Sequence, residues 1–342
     1  MSSHPAATIP GPAPSTAVSL GKFLIAAPLE ERWVDRLRSA FPAIRFVAVR
    51  ASEILSEVSD AQALLAGYED FDLDAVLRAA PGLRWIHSFG AGVDRWIGPG
   101  LRESPVVLTN NSGVHGPNIA EHVLALVLSF ARNLPAFARS AAGHRWERGQ
   151  QTHLDPIFEL PGQTLAIVGL GAIGEALAVR AKAFGLRVIG VRRTTFGELP
   201  PGVDAVFPTE RAGEALAQAH HVVNILPLTE RTRGFFSRAL LETFRPGAYF
   251  YNVGRGDTVD QDALVDLLRR SRIAGAGLDV TSPEPLPPEH VLWTLPNAIL
   301  TNHTAGYTPA YQERTAAILL DNLDRDARGQ PLRNVVDKAL GY

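Results

Sequence analysis

A glycine-rich turn near the middle of the chain constrains the fold more than any other feature. The apolar run Leu165–Val168 leads into three spaced glycines, and a helical pattern follows them. In such a turn the first glycine permits a sharp bend, the second lets the backbone approach a pyrophosphate, and the third lets the helix pack closely on the strand. The N-terminus of the helix faces the anion, so the turn predicts a dinucleotide site. We expect five residues of this loop to contact the cofactor: Gly169, Gly171, Ala172, Ile173 and Gly174.

The turn lies far from residue 1, and its position predicts two domains. Strand-length apolar runs alternate with helix-length segments before and after it, a pattern typical of parallel sheets. A length of 342 residues also suggests about two domains. We predict the α/β class, with two doubly wound parallel-sheet domains in which a Rossmann nucleotide domain is inserted in a flavodoxin-like substrate domain. The expected segments are a disordered tail at 1–21, a substrate-binding domain at 22–117 and 306–342, and an NAD(P)-binding Rossmann domain at 118–305.

One long helix is predicted at Asn118–Asn133, ending at Leu134–Pro135. Its central part, Val123–Ala131, is apolar on nearly every side, so we expect it to lie between domains or deep in one of them. This run is too short to span a bilayer. A last helix, Pro309–Ala327, is expected to return to the first domain.

The composition excludes several classes of function. The net charge is −2, which gives no electrostatic case for binding nucleic acid or an anionic membrane. The chain has no cysteine, which excludes disulfides and thiolate metal sites. His115, His122, His220 and His221 are not spaced around acidic residues as in a metal site, so we predict no metal. Residues 1–21 lack the pattern of a signal peptide, and we expect a cytoplasmic protein.

The end of the strand after the glycine turn bears on the choice of cofactor. An NAD site usually places Asp or Glu there, where the carboxylate accepts hydrogen bonds from the ribose 2′-hydroxyl. Here Arg192, Arg193 and Thr194 follow the strand, and the next carboxylate is Glu198. Because a guanidinium suits a 2′-phosphate, we predict that these three residues bind the cofactor and that NADP(H) is preferred, with NAD(H) possible. The alternative is that the arginines are solvated and the choice of cofactor is loose.

Several further motifs follow one another along the chain. They are Gly90–Asp94, Asn118–Glu121, Gln163–Gly174, Leu226–Thr232, Tyr251–Gly256, Gly275–Val280, Pro283–Pro287 and Leu300–His303. Taken together, these motifs resemble the D-isomer-specific 2-hydroxyacid dehydrogenase family, and in particular its glyoxylate/hydroxypyruvate reductase-like, NADP-preferring branch. They occur in the family's order, and the resemblance covers roughly Leu24 to Leu332.

The resemblance implies a catalytic set of Arg255, Glu284 and His303. Reduction of a 2-keto acid needs a hydride at C2 and a proton at the carbonyl oxygen. Imidazole titrates near working pH, so His303 would donate the proton, and Glu284 would favour the protonated ring and orient it. Arg255 would bind the substrate carboxylate and polarise the keto oxygen. On the residues alone, each could be an ordinary loop side chain, and Glu289 lies close to Glu284 in the sequence.

The resemblance also implies contacts around this set. Backbone N–H groups of Gly90, Ala91 and Gly92 would bind the substrate carboxylate. Asp279 would lie near the nicotinamide, although the alternative is that it caps the turn after its strand. The residues expected to bind or wall the cofactor are Leu226, Pro227, Thr232, Val253, Gly254 and Asp279.

The implied function is an NADP(H)-dependent D-2-hydroxyacid dehydrogenase that works chiefly as a 2-keto acid reductase, as a homodimer with its active site between two domains. Two alternatives stay open: a phosphite-type dehydrogenase, and a catalytically weak nucleotide-sensing scaffold of the corepressor type. Formate enzymes typically carry Gln at the position of Glu284, which argues against formate. Asn302 departs from the proline that the family commonly has before the histidine. Tyr307 and Tyr311 could shape the pocket or pack where the last helix begins.

Overall fold

Two parallel sheets organise residues 20–146, 157–193 and 197–342, which are the residues that this computed structural model describes. The chain divides into two compact units. The first contains the described residues up to Gly90, together with Gly98–Asn111 and Gln312–Val336. The second contains Ala91–Ile97, the described residues of Ser112–Tyr311, and Asp337–Tyr342.

The first unit holds a five-stranded sheet in which all neighbouring strands are parallel. Its strands are β1 Lys22–Ala26, β2 Arg45–Ala48, β3 Ala63–Ala66, β4 Trp85–Ser88 and β5 Val107–Asn110. The order β2-β1-β3-β4-β5 is that of flavodoxin-like sheets. β1 and β3 are buried along their whole length, which explains why all their residues except Lys22 are apolar. The helices are α1 Glu31–Ala40, α2 Ile54–Glu57, α3 Leu73–Ala79, α4 Pro99–Glu103 and, apart from its first residue, α11 Tyr311–Ala327.

The second unit holds a seven-stranded parallel sheet in the order β12-β11-β10-β9-β6-β7-β8. Its strands are β6 Thr164–Val168, β7 Arg187–Val191, β8 Ala205–Phe207, β9 His221–Asn224, β10 Ala248–Asn252, β11 Ile273–Leu278 and β12 Ala298–Leu300. Its helices are α5 Gly116–Ala131, α6 Leu134–Ala142, α7 Ala172–Ala183, α8 Ala212–Leu216, α9 Arg238–Glu242 and α10 Gln261–Arg269. From β6 outward, the order is the 3-2-1-4-5-6 arrangement of Rossmann sheets with one strand added. The predicted fold class is confirmed.

Helix α5 is an element of the second unit's core. Its buried residues, among them Val123 and Val127, share one apolar cluster with β6 and α7. The helix begins and ends two residues earlier than predicted. The predicted break at Leu134–Pro135 does not lead into a loop, because a second helix, α6, begins at Leu134. Asn133 takes a left-handed φ of 52° and turns the chain, and a proline in the first turn of a helix costs no hydrogen bond.

Some predictions fall on residues outside the described ranges. Thr194 is one of them, and so is the predicted tail as far as residue 19. Leu20 is buried, and the N–H of Gly21 donates to Gln62 Oε1 at 2.9 Å. Within the described ranges, no helix is long and apolar enough to cross a membrane.

Candidate active site

The glycine turn forms a cradle at the end of β6. Gly169 has a φ of 101°, and a Cβ there would lie 2.9 Å from the Ile225 carbonyl oxygen. A Cβ on Gly174 would lie 2.8 Å from the Gly169 oxygen, so both positions require glycine. At Gly171 a Cβ would meet nothing within 4 Å, so this side of the turn is open. Helix α7 begins at the next residue, and its first N–H groups have no capping side chain. An open backbone surface at a helix N-terminus fits a dinucleotide pyrophosphate.

The position of this cradle in the sheet supports the same interpretation. β6 pairs with β7 on one side and with β9 on the other. The chain order therefore reverses at the carboxyl end of β6. Ligands of open α/β sheets bind at this kind of switch point.

The arginines after β7 lie at the same edge of the sheet. Arg192 is half-buried, and its Nε is buried without a hydrogen-bond partner among the described residues. Arg193 is exposed, and its guanidinium carbon lies 5.3 Å from the centre of the Tyr342 ring. In Rossmann sheets the residues after this strand face the adenosine ribose of a dinucleotide, and contact of Arg192 and Arg193 with a cofactor stays a prediction.

A buried amide network shapes the two turns that face the cradle. Asn224 Nδ2 donates to Asn252 Oδ1 at 2.9 Å and to Thr258 Oγ1 at 2.7 Å. Asn224 Oδ1 accepts from the N–H of Leu226, and Asn252 Oδ1 accepts from the N–H of Gly254. A Cβ on Gly254 would lie 2.6 Å from the Leu226 oxygen, so the two turns pack backbone against backbone. Contact of Leu226 and Gly254 with a cofactor stays a prediction.

Thr232 and Pro227 lie together in the turn after β9. The Thr232 hydroxyl donates to the Pro227 carbonyl at 2.6 Å and so closes the turn. Val253 is buried in the cluster that contains α5. Direct contact of these three residues with a cofactor stays a prediction.

His303 and Glu284 form the central pair of the site. His303 Nδ1 lies 3.0 Å from Glu284 Oε2, and the other carboxylate oxygen accepts from the Thr281 N–H at 3.1 Å. Half of the His303 side chain is exposed. When Nδ1 carries the proton shared with the carboxylate, Nε2 is left to exchange a proton with a ligand. The pair can therefore act as an oriented general acid and base.

Asp279 fixes the backbone on which His303 stands. Its carbonyl accepts from the His303 N–H at 2.8 Å, and its carboxylate accepts from the N–H groups of Thr304 and Ala305 and from the Thr301 hydroxyl. Only 3% of Asp279 is exposed. His303 has a left-handed φ of 53° within this turn. The carboxylate thus makes the capping interaction that the sequence left open, and its contact with a cofactor stays a prediction.

Arg255 follows β10 and points toward the glycine loop of residues 90–92. Its Nη2 lies 3.2 Å from Asp94 Oδ1, and its Nη1 donates to the Gly254 carbonyl at 2.9 Å. A Cβ on Gly92 would lie 1.9 Å from Nη2, so only glycine lets the guanidinium approach here. Asp94 was missed as a site residue, although a carboxylate that ends a glycine motif was a signal for it.

Gly90, the first residue of that loop, belongs to the first unit. The Gly90 carbonyl accepts from the Asn111 N–H at 3.3 Å, and the Gly90 N–H donates to Ser88 Oγ at 3.3 Å. Ala91 is half-buried. The substrate contacts of Gly90, Ala91 and Gly92 stay predictions.

A cavity of about 570 Å³ adjoins the histidine–carboxylate pair. Its apolar wall includes Leu286, Trp293 and Leu300. Tyr307 and Tyr311 do not line it, and the Tyr311 ring stacks on His115 with ring centres 5.0 Å apart. Sequence reasoning missed Trp293, because this residue belongs to no recognisable motif.

Comparison with known proteins gives consistent similarities. Residues 124–305 match the family profile described as D-isomer specific 2-hydroxyacid dehydrogenase, NAD binding domain. The glyoxylate reductase of Korarchaeum cryptofilum is 34% identical over 289 residues, which are 83% of this chain and 85% of that protein.

Two solved structures are similar over nearly the whole chain. A D-isomer specific 2-hydroxyacid dehydrogenase from Xanthobacter autotrophicus, in complex with NADPH and MES, has a TM-score of 0.82 at 29% identity and covers 95% of this chain and 100% of its own. The NADPH-dependent glyoxylate/hydroxypyruvate reductase of Sinorhizobium meliloti, in complex with NADP and sulfate, has a TM-score of 0.80 at 26% identity and covers 94% of this chain and 100% of its own.

Proposed function

Because the chain belongs to the D-isomer specific 2-hydroxyacid dehydrogenase family, we propose that it works as an NADP(H)-dependent reductase of 2-keto acids. The protein is an oxidoreductase that acts on CH–OH donors with NAD(P). The observation that carries the proposal is the His303–Glu284 pair, presented on the same unit as Arg255 and the glycine cradle.

Three side chains divide the work on the substrate. A bound nicotinamide supplies the hydride that C2 receives. His303 gives its Nε2 proton to the carbonyl oxygen and takes it back when the hydroxy acid is oxidised. The Glu284 carboxylate accepts a hydrogen bond from Nδ1–H and so keeps the ring oriented for the transfer. Arg255 binds the substrate carboxylate with its remaining N–H groups and draws charge from the keto oxygen.

The preference for NADP(H) rests on Arg192 and Arg193. No carboxylate stands directly after β7 in the described residues, where an NAD site would place one. The similar structures from Xanthobacter and Sinorhizobium hold NADPH and NADP. Two guanidinium groups at this edge favour a ligand that carries a 2′-phosphate.

A panel of keto acids tests the proposal. Glyoxylate, hydroxypyruvate, pyruvate and phenylpyruvate are each assayed with NADPH and with NADH, and kcat/KM is compared. We expect turnover of at least one acid and a higher kcat/KM with NADPH. A clear preference for NADH contradicts the cofactor assignment. Cofactor binding with no turnover of any acid contradicts the reductase and favours the nucleotide-sensing scaffold.

We also propose that the protein forms a homodimer, as the family resemblance implies. Light scattering tests this, and a monomer at assay concentration contradicts it.

A further inference from the structure

The segment Asp337–Tyr342 forms a closed turn that belongs to the second unit. The Asp337 carbonyl accepts from the N–H groups of Leu340 and Gly341, at 3.1 and 2.8 Å. The Asp337 N–H donates to the carbonyl of Tyr342 at 3.1 Å. Its carboxylate accepts from the N–H groups of Ala339 and Leu340. These bonds give the segment a defined shape and hold Tyr342 at a fixed place.

This turn lies close to two of the turns at the carboxyl edge of the seven-stranded sheet. A Cβ added to Gly341 would lie 3.4 Å from Thr229 Cγ2, in the turn that follows β9. The Tyr342 ring lies 5.3 Å from the guanidinium carbon of Arg193, the second residue after β7. Since β7 and β9 flank β6, the segment reaches both sides of the strand that carries the glycine cradle.

The surroundings of Arg193 show what the contact with Tyr342 can do. Within residues 20–146, 157–193 and 197–342, the Arg193 guanidinium has the Tyr342 ring beside it and no carboxylate in an ion pair. A cation–π contact occupies a face of the guanidinium and leaves its N–H groups for an anion. An arginine side chain is otherwise free to sample many rotamers, and fixing it reduces the entropy lost on binding.

We propose that Tyr342 is a positioning residue that holds Arg193 ready for the 2′-phosphate of the cofactor. This inference rests on the proposed preference for NADP(H). Exposed cation–π contacts of this kind correspond to factors of about two to five in an equilibrium constant, and this sets the size of the effect.

Binding of two adenosine fragments separates this role from catalysis. Isothermal titration calorimetry gives the Kd values of 2′,5′-ADP and 5′-AMP, which differ by the 2′-phosphate alone. The variants are Tyr342→Leu, which removes the ring, Tyr342→Phe, which keeps it, and Arg193→Ala, which removes the cation. We expect Tyr342→Leu to weaken 2′,5′-ADP about two- to fivefold with 5′-AMP unchanged, and Tyr342→Phe to behave as the wild type.

The double variant supplies the decisive comparison. In the Arg193→Ala background, Tyr342→Leu should have no further effect on 2′,5′-ADP, because the ring acts through the guanidinium. An unchanged affinity in Tyr342→Leu, or an equal loss for both fragments, overturns the inference while the NADP(H) proposal stands. If the wild type binds both fragments equally well, the NADP(H) proposal fails and the role of Tyr342 fails with it.

Discussion

Protonation of His87 in the first unit is expected to destabilise the protein as the pH falls. The ring is buried at the end of β4, with Nδ1 2.7 Å from Thr109 Oγ1 and Nε2 3.0 Å from Asn111 Oδ1. Since Asn111 Oδ1 can only accept, the neutral ring carries its hydrogen on Nε2, and Nδ1 accepts from the Thr109 hydroxyl. That hydroxyl in turn accepts from Trp85 Nε1 at 2.7 Å. A proton on Nδ1 would break this chain of hydrogen bonds. Burial lowers the pKa of His87 to about 4.

The sign and the size of the effect follow from this pKa. The unfolded chain binds the proton with a pKa of about 6.5, so stability is complete above that pH and is lost as the pH falls toward about 4. Between pH 7.5 and 5.0, His87 alone should cost about 2 kcal/mol of unfolding free energy. Burial lowers the pKa of His221, in the second unit, to about 3, so that residue adds a loss of its own.

Urea unfolding at both pH values, followed by circular dichroism and fluorescence, measures the effect. His87→Gln keeps a donor and an acceptor but cannot titrate, so its loss between the two pH values should be smaller than the wild-type loss by about 2 kcal/mol. His144→Gln, at an exposed position, is the matched control and should lose as much as the wild type. Equal losses in His87→Gln and the wild type, within about 0.5 kcal/mol, would refute the reasoning.

Two substitutions test the site directly. His303→Gln removes the proton donor, so kcat should fall by about 10²- to 10⁴-fold while the Kd of NADPH, measured by fluorescence, is retained; near-normal turnover would remove the assignment. Gly92→Ala places a methyl group 1.9 Å from Arg255 Nη2, so the guanidinium must move and kcat/KM for the keto acid should fall at least about tenfold. Gly98→Ala, where a Cβ meets nothing within 4 Å, is its control and should leave kcat/KM unchanged, and an equal effect of the two changes would contradict the steric argument.

The sequence predicted the parts of this protein that depend on local pattern. The alternation of apolar runs was enough for two parallel sheets, and the spaced glycines located the cradle, because both signals lie in short segments. Helix α6 was missed because Pro135 was interpreted as a stop, although proline is tolerated in the first turn of a helix.

Which distant residues meet in the fold could not be predicted from local sequence patterns. The pairing of Asp94 with Arg255 spans 161 residues, and no spacing rule connects such positions. The same is true of Tyr342 and Arg193, whose meeting depends on how the last turn packs. The family resemblance, which the comparisons confirm, gave the site residues their roles without giving these supports.

Ala91–Ile97 belongs to the second unit although the segments on either side of it belong to the first, and this matters for the design of chimeras between related proteins. If a relative's sequence replaced everything before α5, Gly92 and Asp94 would be replaced together with the first unit. Arg255 would then lie next to a loop from another protein. Joining the chains at Gly90 and again at Gly98 would keep the loop with its own arginine. The junctions of a chimera should therefore be chosen to keep the Arg255–Asp94 pair together, and not from the order of the strands alone.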